Sequence, residues 1–290
     1  CGTGGFLTHA YSHVQEHVKT PDELELLKRS INGVEKKSLP HLLCVTNMMI
    51  HGIEVPSNVR HDNTLARPLR DYGKADQVDI ILTNPPFGGM EEDGIESNFP
   101  AEFRTRETAD LFLVLVMELL KDGGRAAIVL PDGTLFGEGI KTRIKKKLLD
   151  ECNLHTIVRL PNGVFAPYTS IKTNILFFTK GEPTKEVWYY EHPYPDGYKS
   201  YSKTKPMRID EFEPEKEWWT DRQESERAWR VSVDDIVASS YNLDIKNPNT
   251  IDEGHEDPDV LLARYTEAVE QVRSAQEALR ASLTESLGNV

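Results

Sequence analysis

Short apolar runs alternate with amphipathic helical stretches through the first 180 residues of the chain. Five runs are predicted to be strands: Ile31–Glu35, Val78–Thr83, Arg125–Leu130, His155–Leu160 and Thr173–Lys180. Between them, Leu39–His51 and Asp110–Leu120 have helical spacing, and Ser38 is expected as N-cap of the first helix, with Gly52 just past its end. The alternation predicts an α/β fold, with a mostly parallel sheet and helices on both faces.

The tetrapeptide Asn84-Pro85-Pro86-Phe87 directly follows the predicted strand Val78–Thr83. We therefore expect it at the carboxyl edge of the sheet, where open α/β folds bind ligands. Its two prolines fix φ and remove two N–H donors, so the loop presents carbonyl oxygens in a rigid geometry. The same pattern also suits a Pro-Pro turn that ends a strand above a buried Phe.

This loop is chemically suited to a planar amino group. The exocyclic nitrogen of adenine is a poor nucleophile because its lone pair is delocalised into the ring. Acceptors that hold its two hydrogens out of the ring plane restore its nucleophilic character, and the Asn84 side-chain oxygen and the Pro85 carbonyl are the predicted acceptors. Phe87 offers a face on which a base turned out of a duplex would stack. Positioning and electrostatics would then do most of the catalytic work.

A glycine-rich loop, Cys1-Gly2-Thr3-Gly4-Gly5, opens the chain and leads through Phe6 and Leu7 into a helical stretch. Glycines let backbone N–H groups approach a ligand that a Cβ would block. The candidate cofactor-binding residues here are Gly2, Thr3, Gly4, Gly5, Phe6 and Leu7. A tight turn without a ligand fits a Gly-x-Gly pattern equally well.

Acidic and amide side chains near the ends of strands are further candidates for cofactor binding. Glu35 closes a predicted strand, where a carboxylate can accept two hydrogen bonds from ribose hydroxyls. Asp62 and Asn63 precede the loop to the next strand, where either side chain is placed to bond an adenine amino group. An exposed strand-end Glu and an Asx turn are the alternatives.

Composition narrows the function classes. The 290 residues contain no apolar run of 18, so no membrane span is predicted. The scattered cysteines, Cys1, Cys44 and Cys152, fit neither a disulfide framework nor a zinc site and favour a reducing cytoplasm. A net charge of −13 argues against a whole surface built to hold phosphates, so a DNA-binding role calls for another subunit. Because the chain starts at Cys1 without a signal-sequence pattern, we expect a truncated N-terminus that lacks the first strand.

Three parts are expected along the chain: a catalytic domain at 1–180, a peripheral extension at 181–251, and an acidic linker with a partner-binding helix at 252–290. The extension is rich in aromatic and charged residues and is punctuated by prolines. The linker is Asp252–Pro258, and the helical pattern after it continues to about Leu287. Apolar residues recur in it at three-four spacing: Leu262, Tyr265, Val269, Val272, Leu279 and Leu283. This seam favours docking on a partner, and packing against the helix's own domain is the alternative.

Two further patterns have simpler interpretations. His13-Val14-Gln15-Glu16-His17 matches an inverted zinc-peptidase motif, with His9 one turn back. A zinc site would need a third ligand and a cleft, so we predict no metal and assign these residues to a solvated helix face. The basic cluster Lys141–Lys147 is expected to be a solvated helix face, with phosphate contact as the alternative.

Taken together, these motifs resemble the modification (methyltransferase) subunit of type I restriction-modification systems, a class of amino-group DNA methyltransferases, over most of the sequence. Residues 1–7 look like the family's cofactor loop, Gly33–Glu35 like its ribose-binding strand, and Asn84–Phe87 like its catalytic motif. Arg125–Phe136 is similar to its fifth strand and following loop, and Leu160–Phe165 with Thr173–Phe178 to its target-recognition loop and hairpin.

Further on, Tyr201–Pro206 and Ser240–Asp244 look like the family's C-terminal half. The resemblance implies a Rossmann-like S-adenosylmethionine-dependent methyltransferase fold with a C-terminal extension that ends in a long helix. It implies S-adenosyl-L-methionine as cofactor and makes Phe165 a second contact for the target base beside Phe87. The implied partners are DNA, a specificity subunit, a second copy of the methyltransferase subunit and a restriction subunit in the full complex.

The chain departs from the family where its glycine loop begins. The family carries an Asp-Pro pair on the first strand, preceded by a helical domain, and neither is found here. The predicted function is methylation of adenine N6 in duplex DNA by a site-specific, adenine-specific methyltransferase. The alternatives are a methyltransferase that acts on an RNA base or a glutamine, and a non-catalytic assembly module of the same fold.

Overall fold

The computed structural model describes residues 1–53, 56–249 and 258–288, and within the last range the side chains at positions 262 and 264–280. The helices are α1 (Gly5–Gln15), α2 (Pro21–Ser30), α3 (Ser38–Ile50), α4 (Thr108–Leu119), α5 (Asp132–Phe136), α6 (Ile140–Glu151), α7 (Glu213–Thr220), α8 (Val233–Ala238) and α9 (Pro258–Gly288). The strands are β1 (Gly33–Glu35), β2 (Val59–His61), β3 (Val78–Thr83), β4 (Leu120–Pro131), β5 (Cys152–Arg159), β6 (Thr173–Lys180), β7 (Glu186–Glu191) and β8 (Ala228–Ser232). Short 3-10 helices lie at Leu69–Asp71, Lys74–Asp76, Ile95–Asn98, Ala101–Phe103 and Ile209–Phe212.

A small parallel sheet carries the N-terminal part of the chain. Strand β1 pairs with β2, with Glu35 opposite His61. Helices α1 and α3 pack beside it around a separate apolar cluster that includes Tyr11, Cys44 and Met48. The glycine loop and Glu35 therefore share one compact subassembly.

The larger sheet has six strands in the order β3-β4-β6-β5-β7-β8. Strand β6 lies antiparallel to both β4 and β5, whereas β3 is parallel to β4 and β7 is parallel to β5. Helix α4 lies in the main core, where most of its side chains are buried. The predicted α/β class is confirmed, and the pairing in this sheet is mixed because β6 and β8 run against their neighbours.

The predicted elements are recovered with changed boundaries. Val78–Thr83 and Thr173–Lys180 have the expected bounds. The prediction that Ser38 caps α3 is wrong, because Ser38 is the first residue of the helix and Lys37 occupies the N-cap position without a side-chain bond. Gly52 follows the helix end with a φ of +91° that suits glycine.

Residues of the expected extension continue the large sheet. Strand β7 pairs with β5, and β8 pairs with β7 in antiparallel register. A third apolar cluster is built on Val158, Leu160, Tyr190 and Ala228, with Val164, Phe212 and Trp218 packed against it. These contacts join the region after residue 180 to the end of β5.

The chain divides into two compact units, residues 1–249 and 250–290. In the second unit α9 spans Pro258–Gly288, as the helical pattern predicts. The predicted acidic linker at 252–257 lies outside the described residues, as does the Leu283 side chain. The described seam side chains are exposed: Leu262, Tyr265, Val269, Val272 and Leu279. None of the helices in the described part of the chain has the length and hydropathy that a membrane crossing requires.

Candidate active site

The Asn84–Phe87 loop leaves the end of β3, whose last residue, Thr83, pairs with Ile128 in the middle of β4. Pro85 is buried, whereas the Asn84 side chain is exposed. Because a proline ring has no N–H and fixes φ, the buried Pro85 anchors the loop without using a hydrogen bond. The Asn84 amide hydrogen-bonds to none of the residues that the structure describes and is free to bond a substrate.

Helix α4 holds the other end of this loop. The Thr108 N–H and hydroxyl both donate to the Gly89 carbonyl, at 3.1 and 3.0 Å. A Cβ at Gly89 would lie 3.2 Å from the Thr108 Oγ1, which is tighter than an ordinary contact. The loop therefore runs between two fixed points, the end of β3 and the first turn of α4.

Two aromatic rings from different loops meet at Phe87, three residues after Asn84. The Phe87 and Phe165 ring centroids are 5.3 Å apart with an interplanar angle of 64°. This edge-to-face geometry is favourable for an aromatic pair. The structure brings together the two residues that the sequence analysis selects for the target base.

The end of β4 adds a buried polar pair. The Asn174 side-chain nitrogen donates to Asp132 Oδ1 at 2.6 Å, and the Asp132 N–H donates to the Lys172 carbonyl at 3.1 Å. Asn174 is 1% exposed, and its side-chain oxygen has no partner among the described residues. These bonds hold the start of β6 against Asp132, the first residue of α5.

The glycine loop turns through two left-handed residues, Gly2 at φ +59° and Gly4 at φ +88°. A Cβ at Gly4 would lie 2.8 Å from the Cys44 sulfur on α3, so only glycine fits there without displacement. Helix α1 starts at Gly5 with no side-chain cap. Its first N–H groups, on Gly5, Phe6 and Leu7, are available to a ligand.

Glu35 binds the glycine loop directly. Its Oε2 accepts hydrogen bonds from the Gly2 N–H at 2.8 Å and from the Cys1 amino group at 3.2 Å, while Oε1 accepts from the Lys37 N–H at 2.8 Å. Burial opposes ionisation of this carboxyl, but the Lys37 and Gly2 N–H groups and the positive amino group hold its pKa below the usual range. Glu35 is therefore an anchored carboxylate at the strand end, and its ribose contact stays a prediction.

Asp62 and Asn63 differ in what their side chains do. The Asp62 N–H donates to the Glu35 carbonyl at 3.0 Å, which places Asp62 next to the glycine-loop subassembly. The Asn63 side-chain oxygen accepts from the Leu65 N–H at 3.1 Å, which is an Asx turn. Asp62 is exposed, and its Oδ1 accepts from the Asn63 N–H at 2.8 Å. Asp62 is therefore the better placed of the two for a cofactor contact.

An ion pair links the two halves of the site. Lys36, next to Glu35, contacts Glu92 at 3.0 Å and Glu91 at 3.6 Å in the loop that follows Asn84–Phe87. This link cannot be predicted from the local sequence because the paired residues are more than 50 positions apart. Thr3 and Leu43, with Thr46, Asn47 and Ile50, line a shallow hollow on the α3 side of the loop.

A buried charged group, also missed from sequence, supports α4. Asp110 is 1% exposed; its carboxylate contacts Lys141 at 2.7 Å and accepts from the Thr134 hydroxyl at 3.0 Å. Lys145 is also 1% exposed, and burial lowers its pKa to about 8. Its amino group donates to the Leu135 and Gly137 carbonyls at 2.6 and 2.8 Å.

The remaining lysines of the basic cluster pair with carboxylates. Lys146 contacts Asp150 at 2.6 Å, and Lys147 contacts Glu118 and Glu151 at 3.1 and 2.7 Å. Lys141 and Lys145 are directed inward, so among the lysines of this cluster only Lys146 is well exposed; Arg143 is also exposed, and its Nε donates to the Glu102 carbonyl at 2.8 Å.

The His13 and His17 rings lie 5.6 Å apart near the end of α1, and both residues are exposed. Within residues 1–53, 56–249 and 258–288, His, Cys, Asp and Glu side chains nowhere gather in a group of three or more that would hold a metal ion.

Comparisons with known proteins give this geometry a family. The family model for N-6 DNA methylase matches residues 1–257. The chain is 62% identical over 288 residues to the type I restriction enzyme EcoEI methylase subunit of Escherichia coli, covering 97% of the chain and 58% of that protein.

Solved structures agree with the family match. A structure provisionally named as the modification subunit of a type I restriction enzyme from Vibrio vulnificus YJ016 is 49% identical, with a TM-score of 0.82 over 87% of this chain and 55% of that one. A provisionally named class I S-adenosylmethionine-dependent methyltransferase from Listeria monocytogenes is 21% identical and shares the fold, with a TM-score of 0.50 over 66% of this chain and 56% of that one. The chain covers 58% of the Escherichia coli protein and 55% of the Vibrio vulnificus protein, which is little more than half the length of each. It belongs to the N-6 DNA methylase family.

Proposed function

We propose that this chain is the catalytic core of an adenine-specific DNA methyltransferase, which transfers the methyl group of S-adenosyl-L-methionine to adenine N6 in duplex DNA. The whole protein would be the modification subunit of a type I restriction-modification complex, as in the relatives. One observation carries the proposal: Asn84 is exposed and unpartnered directly after β3, and Phe87 of the same loop meets Phe165 ring to ring, in a chain of this family.

Asn84 and Pro85 would bind the two hydrogens of the adenine amino group. The Asn84 side-chain oxygen and the Pro85 carbonyl are acceptors without competing donors in the loop, because both prolines lack an N–H. Fixed acceptors orient the nitrogen lone pair toward the methyl donor and cost no reorganisation during the reaction. Pro86 keeps the loop rigid between Pro85 and Phe87.

Phe87 and Phe165 would hold the base after it leaves the duplex. Stacking of a base on an aromatic side chain contributes about 1–3 kcal/mol. That is comparable to the few kcal/mol needed to unstack and unpair one base. Contact with rings from two loops would favour the extruded state.

The glycine-loop residues fit the cofactor. When bound, S-adenosyl-L-methionine supplies an activated methyl group. The carboxyl end of the methionine part would meet the uncapped N–H groups of Gly5, Phe6 and Leu7, beside Gly2, Thr3 and Gly4. Glu35 would accept from a ribose hydroxyl, because a carboxylate offers about four lone-pair sites and three donors reach it here, which leaves about one site open. Asp62 would bond the adenine of the cofactor, and the bonded Asn63 would shape the turn.

Partners would supply most of the DNA grip. The net charge is −13, and the lysines of α6 are directed inward or paired with carboxylates. We assign the grip to a specificity subunit and a second methyltransferase copy, with a restriction subunit in the full complex. The exposed seam of α9 is the proposed docking site of the specificity subunit.

Asn84→Ala tests the catalytic assignment in the intact, assembled enzyme. We expect methylation of adenine to fall by at least about 100-fold, the loss usual for a removed electrostatic contact, while calorimetry shows unchanged binding of S-adenosyl-L-methionine. Asn153→Ala is the matched control. Asn153 lies at the start of β5, at the edge of the sheet opposite to the end of β3, so this variant should retain activity. Full activity of Asn84→Ala would refute the role, and analysis of the methylated product separates adenine from an RNA base or a glutamine.

Deletion of residues 259–290 tests the docking assignment. We expect weaker assembly with the specificity subunit, measured by size-exclusion chromatography with light scattering, with unchanged binding of S-adenosyl-L-methionine. Assembly that is as tight as in the full-length protein would exclude this helix as the docking site.

A further inference from the structure

The loop of residues 161–172, between β5 and β6, carries Phe165 and packs against the region after β7. Gly163 turns through φ +82°, and a Cβ there would lie 2.7 Å from the Tyr201 carbonyl oxygen and 3.3 Å from its nitrogen. The Tyr194 hydroxyl donates to the Asn162 carbonyl at 3.0 Å. The first residues of the loop therefore contact the Tyr201 backbone and the Tyr194 side chain.

Tyr201 is itself held by a hydrogen bond to the half-buried carboxylate of Glu211. Its side chain is 3% exposed, and its hydroxyl donates to Glu211. Burial raises the pKa of this phenol, and the adjacent Glu211 carboxylate raises it further, so the hydroxyl stays protonated and keeps donating. The backbone that Gly163 contacts is thus tied to a carboxylate ten residues further along the chain.

A buried histidine lies beside the same carboxylate and is bonded to β5. His192 Nε2 lies 3.9 Å from Glu211 Oε2, which is beyond hydrogen-bond distance, and His192 Nδ1 bonds the buried Glu215. The His192 ring stacks on Phe212 with centroids 4.5 Å apart. Its backbone N–H donates at 3.0 Å to the carbonyl of Arg159, the last residue of β5.

Apolar packing joins the loop to the same region. Val164, next to Phe165, packs against the cluster that contains Tyr190, and Phe212 and Trp218 pack on that cluster too. At the far side of the loop, Phe165 meets Phe87, and the Ile171 Cδ1 would lie 3.9 Å from a Cβ at Gly88. The loop is therefore held between the Asn84–Phe87 loop and the region that contains Tyr201.

We propose that Tyr201, held by Glu211, is a positioning residue for Phe165: its backbone is the surface on which Gly163 turns, and this sets Phe165 against Phe87 for the extruded base. The proposal rests on the proposed function and deepens it. It assigns a role in target-base capture to a segment outside the two loops that carry Phe87 and Phe165. A shift of about 1 Å in a positioning element can cost about 100-fold in rate.

Gly163→Ala is the sharpest perturbation. A methyl group 2.7 Å from a backbone oxygen forces the loop away from Tyr201. The matched control is Gly123→Ala, near the start of β4: Gly123 also has a positive φ, +79°, but nothing lies within 4 Å of the position its Cβ would take. The control therefore has the same backbone strain without the collision.

Base capture is measured with the full-length subunit assembled with its partners. The DNA is a duplex with 2-aminopurine at the target position, whose fluorescence rises when the base leaves the stack. Because 2-aminopurine has no amino group at C6, methylation is measured on the same duplex with adenine at that position. We expect Gly163→Ala to lose most of the fluorescence rise and about 10- to 100-fold in the single-turnover methylation rate, with unchanged affinity for S-adenosyl-L-methionine. Gly123→Ala should behave as the wild type. Equal effects of the two variants would overturn the proposal.

Tyr201→Phe removes the hydroxyl and leaves the ring, and Tyr198→Phe is its control on a neighbouring ring 6.0 Å away. We expect Tyr201→Phe, but not Tyr198→Phe, to increase hydrogen exchange of residues 161–172 about tenfold in the absence of DNA. Unchanged exchange in Tyr201→Phe would overturn the proposal. A wild-type assembly that methylates no adenine would refute the proposed function instead, and the exchange measurement would still decide the positioning.

Discussion

Replacing Gly4 by Ala tests how tightly the glycine loop is packed against α3. Gly4 has φ +88°, and its Cβ would lie 2.8 Å from Cys44 Sγ and 3.4 Å from Cys44 Cα. Gly2 has φ +59°, and its Cβ would meet nothing within 4 Å. Gly2→Ala is therefore a matched control that has the left-handed backbone without the collision.

The expected magnitudes follow from these two contributions. A left-handed conformation costs a non-glycine residue about 1–2 kcal/mol, so Gly2→Ala should lower the free energy of unfolding by about that much. Overpacking against a buried side chain adds about 1–3 kcal/mol, which gives about 2–5 kcal/mol for Gly4→Ala. Burial raises the pKa of the Cys44 thiol, so the sulfur is uncharged near neutral pH and the added cost is steric.

A double-mutant cycle with Cys44→Ala isolates that steric cost. Removing the sulfur leaves the Cys44 Cβ 3.6 Å from the new methyl group, which is an ordinary contact. Urea unfolding of the four proteins should therefore give a favourable coupling of about 1–2 kcal/mol between the two substitutions. Calorimetric titration with S-adenosyl-L-methionine should show weaker binding for Gly4→Ala that the double variant partly recovers. A coupling below about 0.5 kcal/mol would show that Cys44 does not constrain the loop.

Two further stability predictions follow from buried charges. Burial, with Arg222 nearby, lowers the pKa of His155 to about 4. Between about pH 6.5 and 4 the unfolded chain therefore binds a proton at His155 that the folded chain does not. The free energy of unfolding should fall by at most about 3 kcal/mol on acidification. His155→Gln should remove that part of the slope in urea titrations at several pH values, and an unchanged slope would contradict the assignment. Lys141→Met leaves the Asp110 carboxylate buried without its cation and should cost about 3–5 kcal/mol. Lys146→Met removes a pair in which both side chains are 54% exposed and should cost less than about 1 kcal/mol in the same thermal assay, so equal costs would refute the difference.

Sequence alone located the elements whose signals are local. Val78–Thr83 is an apolar run bounded by a turn and by two prolines, and the strand has these bounds in the structure. The start of β4 shows the limit of this reasoning. Asp122-Gly123-Gly124 has the composition of a turn, yet these residues lie within a strand that runs from Leu120, in an irregularity between the pairs Val78–Leu120 and Ile80–Arg125. The glycines therefore mark a bulge inside the strand and not the boundary of the strand.

The region after residue 180 was harder to predict because its signals are not local. Trp188, Tyr189 and Tyr190 suggest aromatic surface in a stretch punctuated by prolines, but β7 places them beside β5, where the Tyr189 ring stacks on Trp229 at 5.2 Å. A strand pattern in sequence does not specify which strand it joins. Strands β7 and β8 of the large sheet were therefore not predicted from the sequence.

Ion pairing was equally invisible in the sequence. Lys141 and Lys145 belong to a run that suggests a solvated or phosphate-binding face, and both point inward. The partners of Lys141, Glu107 and Asp110, lie 34 and 31 positions earlier in the chain. Charge runs predict solvent exposure only when no buried carboxylate is near in space, which requires the fold to be known.

In the candidate site too, the motifs with local signals could be predicted and the groups held by distant contacts could not. Asn84–Phe87 and the glycine loop were found because each is a short motif with its chemistry in adjacent residues. The groups that hold Phe165 could not be found in this way, because Tyr201 lies 38 positions from Gly163 and bonds a carboxylate ten positions further on. One signal is present in the sequence: Gly163 is a glycine inside the loop that carries Phe165. Glycine marks a left-handed turn or a close backbone approach, and here it marks both, because the turn at Gly163 brings the target-base loop onto the backbone of Tyr201.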